Sequence, residues 1–599
     1  MASDDVFKTP TSDDRVVESG RSISSRLNET LVNNAKTIII TYPIAWLVIF
    51  AVIPAIMLFA MSFFPKPSGE YYSIGFTIQH YVRIIDGNAV GYIITTLYIA
   101  AITAILCTVL AFPVAYGLSR LYSPTKRRNY LLVIIATMWL TVIIRAYAVQ
   151  LLFSREGIIN RFFVGSGLTS DPIVSTTGLV TVIVGMVYGF LPFALLTMYA
   201  SIHEVEQSLE DASLNLGANY LQTIWHVIIH QAYRGIILAF GLVFILASGS
   251  YVVPQLLGNP NQWTIPVLIT QQISEQLNVP YAAALSIVFI LIVDGLFITG
   301  YWLYKRLNSS ASGVAEDKSV LSRIDDGIFH WLGALPDQIT GRVPVMLRLY
   351  LWGMLIAFII PLVVVVSVSF TSGSFMRFPP EGLSTRWFEQ VVGSVSWRNA
   401  IVTSLIVGTG AAVVATSIGG SLAYALDRYE LRLSTYLTAL GVVPLLIPPV
   451  IVAVAYTSYF LQIGIWGTMG GIIIAHGVVF STFAFALVRK GLMDIDRHVE
   501  EAAAILGADQ QYITKTITLP LLSSSIFAAV LFAFVLSLNE YIIAFFIAGF
   551  GVNTAPMEIF ASLRYNYSPV IAAVSVIYIV LTTLIVIVID RWSTLSIWD

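Results

Sequence analysis

Twelve apolar runs, each long enough to cross a bilayer, constrain this chain more than any other feature. A membrane-spanning helix needs roughly 20 apolar residues. Runs of that length lie near 38–63, 91–118, 130–153, 177–200, 235–257 and 281–304. Six more lie near 347–370, 400–425, 435–461, 467–488, 523–548 and 569–590. With 57% hydrophobic residues and only 11% charged, the excess is beyond what a soluble core needs. The expected class is an all-α integral membrane protein built as two parallel six-helix repeats. The formal net charge of −2 singles out no partner, and no nucleic acid is expected. The single cysteine, Cys107, excludes an intramolecular disulfide and a cysteine metal cluster, and reads as apolar filler in a helix.

The polar stretches divide the chain into a tail (1–36), a first half (37–304), a linker (305–345), a second half (346–591) and a short terminal tail (592–599). The first 36 residues are polar and mixed in charge, so they are expected to be a cytoplasmic tail and not a cleavable signal. The linker contains NSSASG and AEDKS, the composition of a flexible tether. Basic residues in loops favour the cytoplasmic side. Arg120, Lys126, Arg127 and Arg128 form the strongest cluster, and Arg489, Lys490 and Arg497 form another. Twelve spans with these loops inside put both termini in the cytoplasm. Outer stretches near Phe76–Ile85 and Phe378–Val392 mix aromatic and polar residues and are expected to form short surface helices.

The two halves repeat one another. A polar island at 204–230 returns 290 positions later at 494–520. Glu210 matches Glu500, Ala212 matches Ala502, Leu216 matches Leu506 and Gly217 matches Gly507, with Asp211 and Glu501 beside the glutamates. A glycine seven residues after a glutamate predicts two helical pieces joined at a turn, because glycine leaves helical geometry at little steric cost. At the same offset Tyr251 matches Tyr541, and Ala115-Tyr116 matches Ala423-Tyr424 at an offset of 308. No G-x-x-x-x-G-K-[ST] and no H-E-x-x-H or C-x-x-C occurs, so the chain carries no nucleotide loop or metal-ligand motif of its own.

The second island, Glu501-Ala502-Ala503-(x3)-Gly507-(x9)-Ile517-Thr518-Leu519-Pro520, resembles the E-A-A-x(3)-G-x(9)-I-x-L-P signature of ABC-importer permeases. The first island departs from it, with Ser213 for the second alanine and Ile229-His230 for Leu-Pro. The resemblance implies that each island is a coupling helix docking into a separate ATPase subunit. ATP and Mg would then be held by two ATPase copies, with no cofactor, catalytic residue or metal in this chain. Arg145-Ala146-Tyr147-Ala148 with Gly157-Ile158-Ile159-Asn160, and Val253-Pro254-Gln255-Leu256-Leu257-Gly258, resemble spermidine/putrescine-type permeases. Phe378-Pro379-Pro380-Glu381-Gly382 and Ser537-Leu538-Asn539-Glu540-Tyr541 resemble their partner permease, with Asn539 where aspartate is usual. Thr554-Ala555-Pro556 stands for that partner's T-L-P. The chain thus resembles two permeases of one importer fused head to tail. This implies a bacterial inner-membrane location, contact with lipid, and a solute-binding protein outside.

Three ionisable residues fall within the runs: Arg145, Asp294 and Glu540. A charge at bilayer depth faces a cavity or a partner. Glu540, read as mid-span, either pairs structurally with Arg145 or lines a pathway for a cationic solute, for which Asn539, Tyr541, Tyr251 and Arg145 are the other candidate residues. Tyr251 and Tyr541 could stack on a cation, although core packing is the plainer reading of both. Polyamine is the substrate the resemblance favours; ferric iron, phosphonate, opine and thiamine are alternatives. An ion-coupled secondary transporter also uses two six-helix halves, and Gly117–Arg128 weakly imitates its basic loop.

Overall fold

In a computed structural model of the protein, residues 36–67, 69, 72–138, 140–155, 157–169, 175–309, 320–336, 340–549, 551–565 and 568–592 are described. Most of the N-terminal tail and all but Trp592 of the C-terminal tail lie outside them. The first half comprises α1 (Lys36–Met61), α2 (Gln79–Asp86), α3 (Ala89–Leu121), α4 (Pro124–Met138), α5 (Val142–Leu152), α6 (Ile158–Gly165), α7 (Leu179–His203) and α8 (Gln207–Asn215). It continues with α9 (Tyr220–Ser248), α10 (Val252–Leu257), α11 (Ile265–Ser274) and α12 (Val279–Ser309). A linker helix, α13 (Val320–Gly333), leads to the second half. There follow α14 (Val343–Ser369), α15 (Arg386–Gly393), α16 (Val395–Arg428), α17 (Ser434–Leu446), α18 (Pro449–Ile463), α19 (Met469–Met493) and α20 (Arg497–Ile505). The half ends with α21 (Gln510–Asn539), α22 (Ile542–Ile547), α23 (Ala555–Tyr565) and α24 (Val570–Trp592).

Among the described residues, nine helices are long and apolar enough to cross a membrane, or up to eleven if each bent pair is one span. The last expected span coincides with α24. Four expected spans are not straight. α4 and α5 meet at 95°, and α17 and α18 at 97°. In the second case Pro448 and Pro449 lie at the break, where ring and missing donor interrupt a helix. In the first, Thr141 caps the new helix by accepting from Ile144 N at 3.1 Å. The fifth spans, expected at 235–257 and 523–548, stop at Ser248 and Asn539 and resume as the short α10 and α22. The expected surface helices are present as α2 and α15.

In each half the second, fourth and fifth spans form the packed centre: α3, α7 and α9, then α16, α19 and α21. Small residues let the backbones approach. A Cβ on Gly419 would lie 2.3 Å from Ser481 O, and one on Gly477 would lie 2.5 Å from Val414 Cγ1. Membrane helices associate largely through such close packing.

The first spans cross over. α1 packs on α18, and Leu47 is buried among Ile418, Leu422 and Phe485 of the second half. Tyr42 OH and Ser417 Oγ lie 2.9 Å apart. Reciprocally, α14 packs on α3 of the first half. Tyr350 OH donates to Leu110 O at 3.0 Å, and Tyr188 OH donates to Phe358 O at 3.2 Å. The two sequence halves are therefore not two independent bodies.

Candidate coupling and transport sites

The two polar islands share one construction. α8 and α20 are nine-residue helices, each followed by a glycine with positive φ, +93° at Gly217 and +90° at Gly507. That backbone geometry penalises any residue with a Cβ. Nothing lies within 4 Å of a Cβ built on either glycine, so the requirement is conformational and not steric.

The matched glutamates point back into the protein. Glu210 is 6% exposed; its Oε1 accepts from Arg120 Nε and its Oε2 from Tyr116 OH at 3.2 Å. Arg120 Nη2 also donates to Val205 O at 2.6 Å, so this side chain ties the end of α3 to the start of the island. In the second half Arg428 Nη2 and Thr518 Oγ1 donate to Glu500 Oε1 at 2.7 and 2.6 Å. Tyr424 OH and Thr514 Oγ1 lie 2.8 Å apart. Tyr116-x(3)-Arg120 and Tyr424-x(3)-Arg428 are thus the structural partners of the islands. Sequence reading matched the tyrosines but took Arg120 only as a topological charge. The available signal was the arginine four residues after each tyrosine.

The other face of each island is bare. Asp211, Ala212, Glu501 and Ala502 are exposed. Leu216 and Leu506, one residue before each glycine, are 89% and 88% exposed. Each island re-enters the membrane domain through a π-helical turn, Ile224–Ile229 and Thr514–Thr518. Pro520 stands in the first turn of the α-helical stretch beyond the second, where its missing donor costs least. His230 follows the same π-turn without a proline.

Between the halves, the equivalent tyrosines meet. Tyr251 and Tyr541 stack with centroids 6.3 Å apart and planes 13° apart. Phe560 and Phe545 lie 4.6 and 5.4 Å from the Tyr541 ring. Both tyrosines are buried, so their faces meet aromatic neighbours. Beside them is a cavity of about 200 Å³ lined by Tyr541, Phe545, Phe560, Met557, Glu558 and Arg564, among others. Glu558 accepts from Ser396 Oγ at 2.9 Å. Sequence reading passed over this acid, two residues beyond the Thr554-Ala555-Pro556 motif.

Glu540 is not mid-helix as expected; it occupies the break between α21 and α22. Its carboxylate accepts from Ile543 N at 2.9 Å and Ala544 N at 3.0 Å, capping α22. His476 Nε2 lies 3.1 Å from Glu540 Oε2, and His476 Nδ1 lies 2.7 Å from Ser537 Oγ. The partner is therefore His476, not Arg145 as one reading had it. Arg145 is buried on α5 and donates to Gly189 O at 2.6 Å. Asn539 Nδ2 donates to Val535 O in its own helix. Asp294 lies on an exposed face of α12. Among the described residues, no group of three His, Cys, Asp or Glu is placed to hold a metal.

The family model described as "Binding-protein-dependent transport system inner membrane component" matches residues 108–312 and again 415–596. The spermidine/putrescine transport system permease protein PotB of Salmonella typhimurium is 31% identical over 283 residues, covering 47% of this chain and 98% of that protein. PotB of Escherichia coli K12 is 33% identical over 265 residues, covering 44% and 95%. The permease protein PotC of Haemophilus influenzae is 26% identical over 228 residues, covering 38% and 88%. A crystal structure of a bacterial ABC transporter involved in the import of alginate aligns with TM-score 0.34 and 18% identity, over 43% of this chain and 98% of that one. Since the family domain occurs twice in a chain about twice as long as these relatives, the protein belongs to the binding-protein-dependent inner-membrane permeases of ABC transporters, as two permease units fused in one polypeptide.

Proposed function

We propose that this chain forms the membrane pathway of an importer for polyamines or similar organic amines. Two separate cytoplasmic ATPase subunits would dock on the two islands, and an extracytoplasmic solute-binding protein would deliver the cargo. The observation that carries the reading is the doubled island: an apolar crest at Leu216 and Leu506, almost fully exposed, on helices anchored from behind by buried Arg–Glu pairs. Such a helix can take up movement on its exposed side and pass it to α3 and α16. ATP and Mg are assigned to the partner subunits, and both termini to the cytoplasm.

The substrate class is supported by the PotB and PotC relatives, which are permeases of spermidine/putrescine transport systems. The cavity beside Tyr541 offers one carboxylate, Glu558, to an ammonium group, with Arg564 in the same lining. The test is reconstitution of the full chain with its ATPase and binding protein in vesicles. Spermidine uptake is expected to require ATP and to survive collapse of ion gradients. Uptake that persists without ATP and stops with the gradient would replace this reading with ion-coupled transport.

A further inference from the structure

The linker between the halves is not the bare tether that its composition suggests. Its helix α13 carries Ile328 and Leu332 one turn apart, on one face. The end of that helix lies on the first island. Gln222 Nε2 donates to Phe329 O at 3.1 Å, and Asn219 Nδ2 donates to Leu332 O at 2.9 Å. Leu332 O belongs to the last turn, whose carbonyls lack intrahelical donors. The Phe329 ring lies 4.4 Å from the His226 ring, and Leu332 is 9% exposed.

The two amides each do two things. Asn219 Oδ1 accepts from Gln222 N at 2.9 Å and Gln222 Oε1 accepts from Asn219 N at 3.0 Å, a reciprocal cap at the start of α9. Their NH₂ groups remain for the linker carbonyls. A side-chain amide can serve both ways because it carries acceptor and donor. The second island lacks this chemistry. Asp509 stands at the position of Asn219 and caps its helix by accepting from Tyr512 N at 2.7 Å. A carboxylate has no N–H to offer a carbonyl. Tyr512 stands at the position of Gln222 and is 58% exposed.

We infer that α13 is a brace dedicated to the first island, so that the two ATPase docking sites are unequal: one flanked and held by the linker, the other without such a helix among the described residues. The inequality of docking rests on the coupling role proposed above; the brace itself does not.

Hydrogen exchange on the full chain in nanodiscs, without ATPase, tests the brace. Amides in 219–229 are expected to exchange at least tenfold more slowly than those in 509–519. Phe329→Ala and Leu332→Asp, both on the linker side, should bring 219–229 to the rate of 509–519 and leave the latter unchanged. Asn219→Asp, which keeps the cap and removes the donor, should do the same. Equal exchange in the wild type, or no response to the linker variants, overturns the brace. The same linker variants, assembled with ATPase and loaded binding protein, should lower transport per ATP severalfold. Altered exchange with unaltered transport per ATP overturns the unequal docking. Absence of stimulated hydrolysis in the wild type would instead remove the coupling role.

Discussion

Tyr251 and Tyr541, 290 positions apart in the chain, stack on one another where the two halves meet. Each immediately precedes the short helix that follows the break in a fifth span. Their rings fill the space between the halves beside the cavity that Phe545, Phe560 and Glu558 help to line.

Removing one ring should open this contact. Tyr541→Ala is expected to lower spermidine uptake by tenfold or more, whereas Tyr541→Phe, which keeps the stack, should stay within about twofold; an aromatic pair is worth roughly 0.5–1.5 kcal/mol beyond its buried area. Uptake in reconstituted vesicles checks this. Equal losses in both variants would shift the role from ring to hydroxyl.

The Arg428–Glu500 pair anchors the second island, with both side chains largely buried. Removing one partner of a buried pair costs about 3–5 kcal/mol at full burial. Glu500→Ala and Arg428→Met should therefore lower the melting temperature of the purified complex and abolish stimulated hydrolysis. Glu501→Gln, on the exposed face, should change stability by less than about 0.5 kcal/mol. A melting temperature unmoved by Glu500→Ala would show that the pair anchors nothing.

Gly217 and Gly507 share one conformation within a few degrees and the same open surroundings. Gly217→Val and Gly507→Val should each impose roughly 1–2 kcal/mol of local backbone strain and reduce transport per ATP. The proline difference beyond the islands gives no reason for inequality, since both exits make the same π-turn. Asparagine at either position, which tolerates positive φ, should restore most of the activity; coupled assays of uptake and hydrolysis decide it.

Glu540 holds the start of α22 and meets His476. Glu540→Gln keeps its shape but loses the charge facing the amides of Ile543 and Ala544. A stabilising charge at a helix N-terminus is worth about 0.3–1 kcal/mol when exposed and up to about 2 kcal/mol when partly buried. The expected result is a lower melting temperature together with reduced uptake. Reduced uptake at an unchanged melting temperature would assign the carboxylate to the pathway in place of the cap.

Gly419 admits Ser481 O to a distance no side chain could allow. Gly419→Leu should separate α16 from α19, at a cost typical of overpacking, about 1–3 kcal/mol or more. Loss of the monodisperse complex on gel filtration is the readout. Gly420→Leu, where the nearest atom is 3.8 Å away, should be tolerated.

Hydropathy located the spans because lipid burial acts on every residue of a run. It did not locate the breaks. At 139–141 the immediate flanks are apolar on both sides, and at the fifth-span break Ser248-Gly249-Ser250 is too short to pull down a sliding average. Pro448-Pro449 was a legible breaker, passed over because the surrounding run was long enough to span. The islands were legible through their repetition, but the direction of Glu210 and Glu500 was not, because their arginine partners lie on another helix some 70 to 90 positions earlier. The linker helix was hidden by the Ser/Gly-rich stretch before it. The pairing of Asn219 and Gln222 with its carbonyls, with the Phe329–His226 ring contact, gives that helix a place.

The crossing of the first spans bears on how the protein is made. Leu47 leaves the ribosome more than 400 residues before Phe485, one of the side chains that cover it. During synthesis, α1 must therefore wait in the bilayer with lipid in place of its final neighbours. Neither half can close before the other is inserted. For two separate half-length chains that closure would be a bimolecular encounter in the membrane. Here the linker keeps the absent partner at an effective concentration on the order of millimolar, and it fixes the ratio of the two units at one to one from the moment of translation.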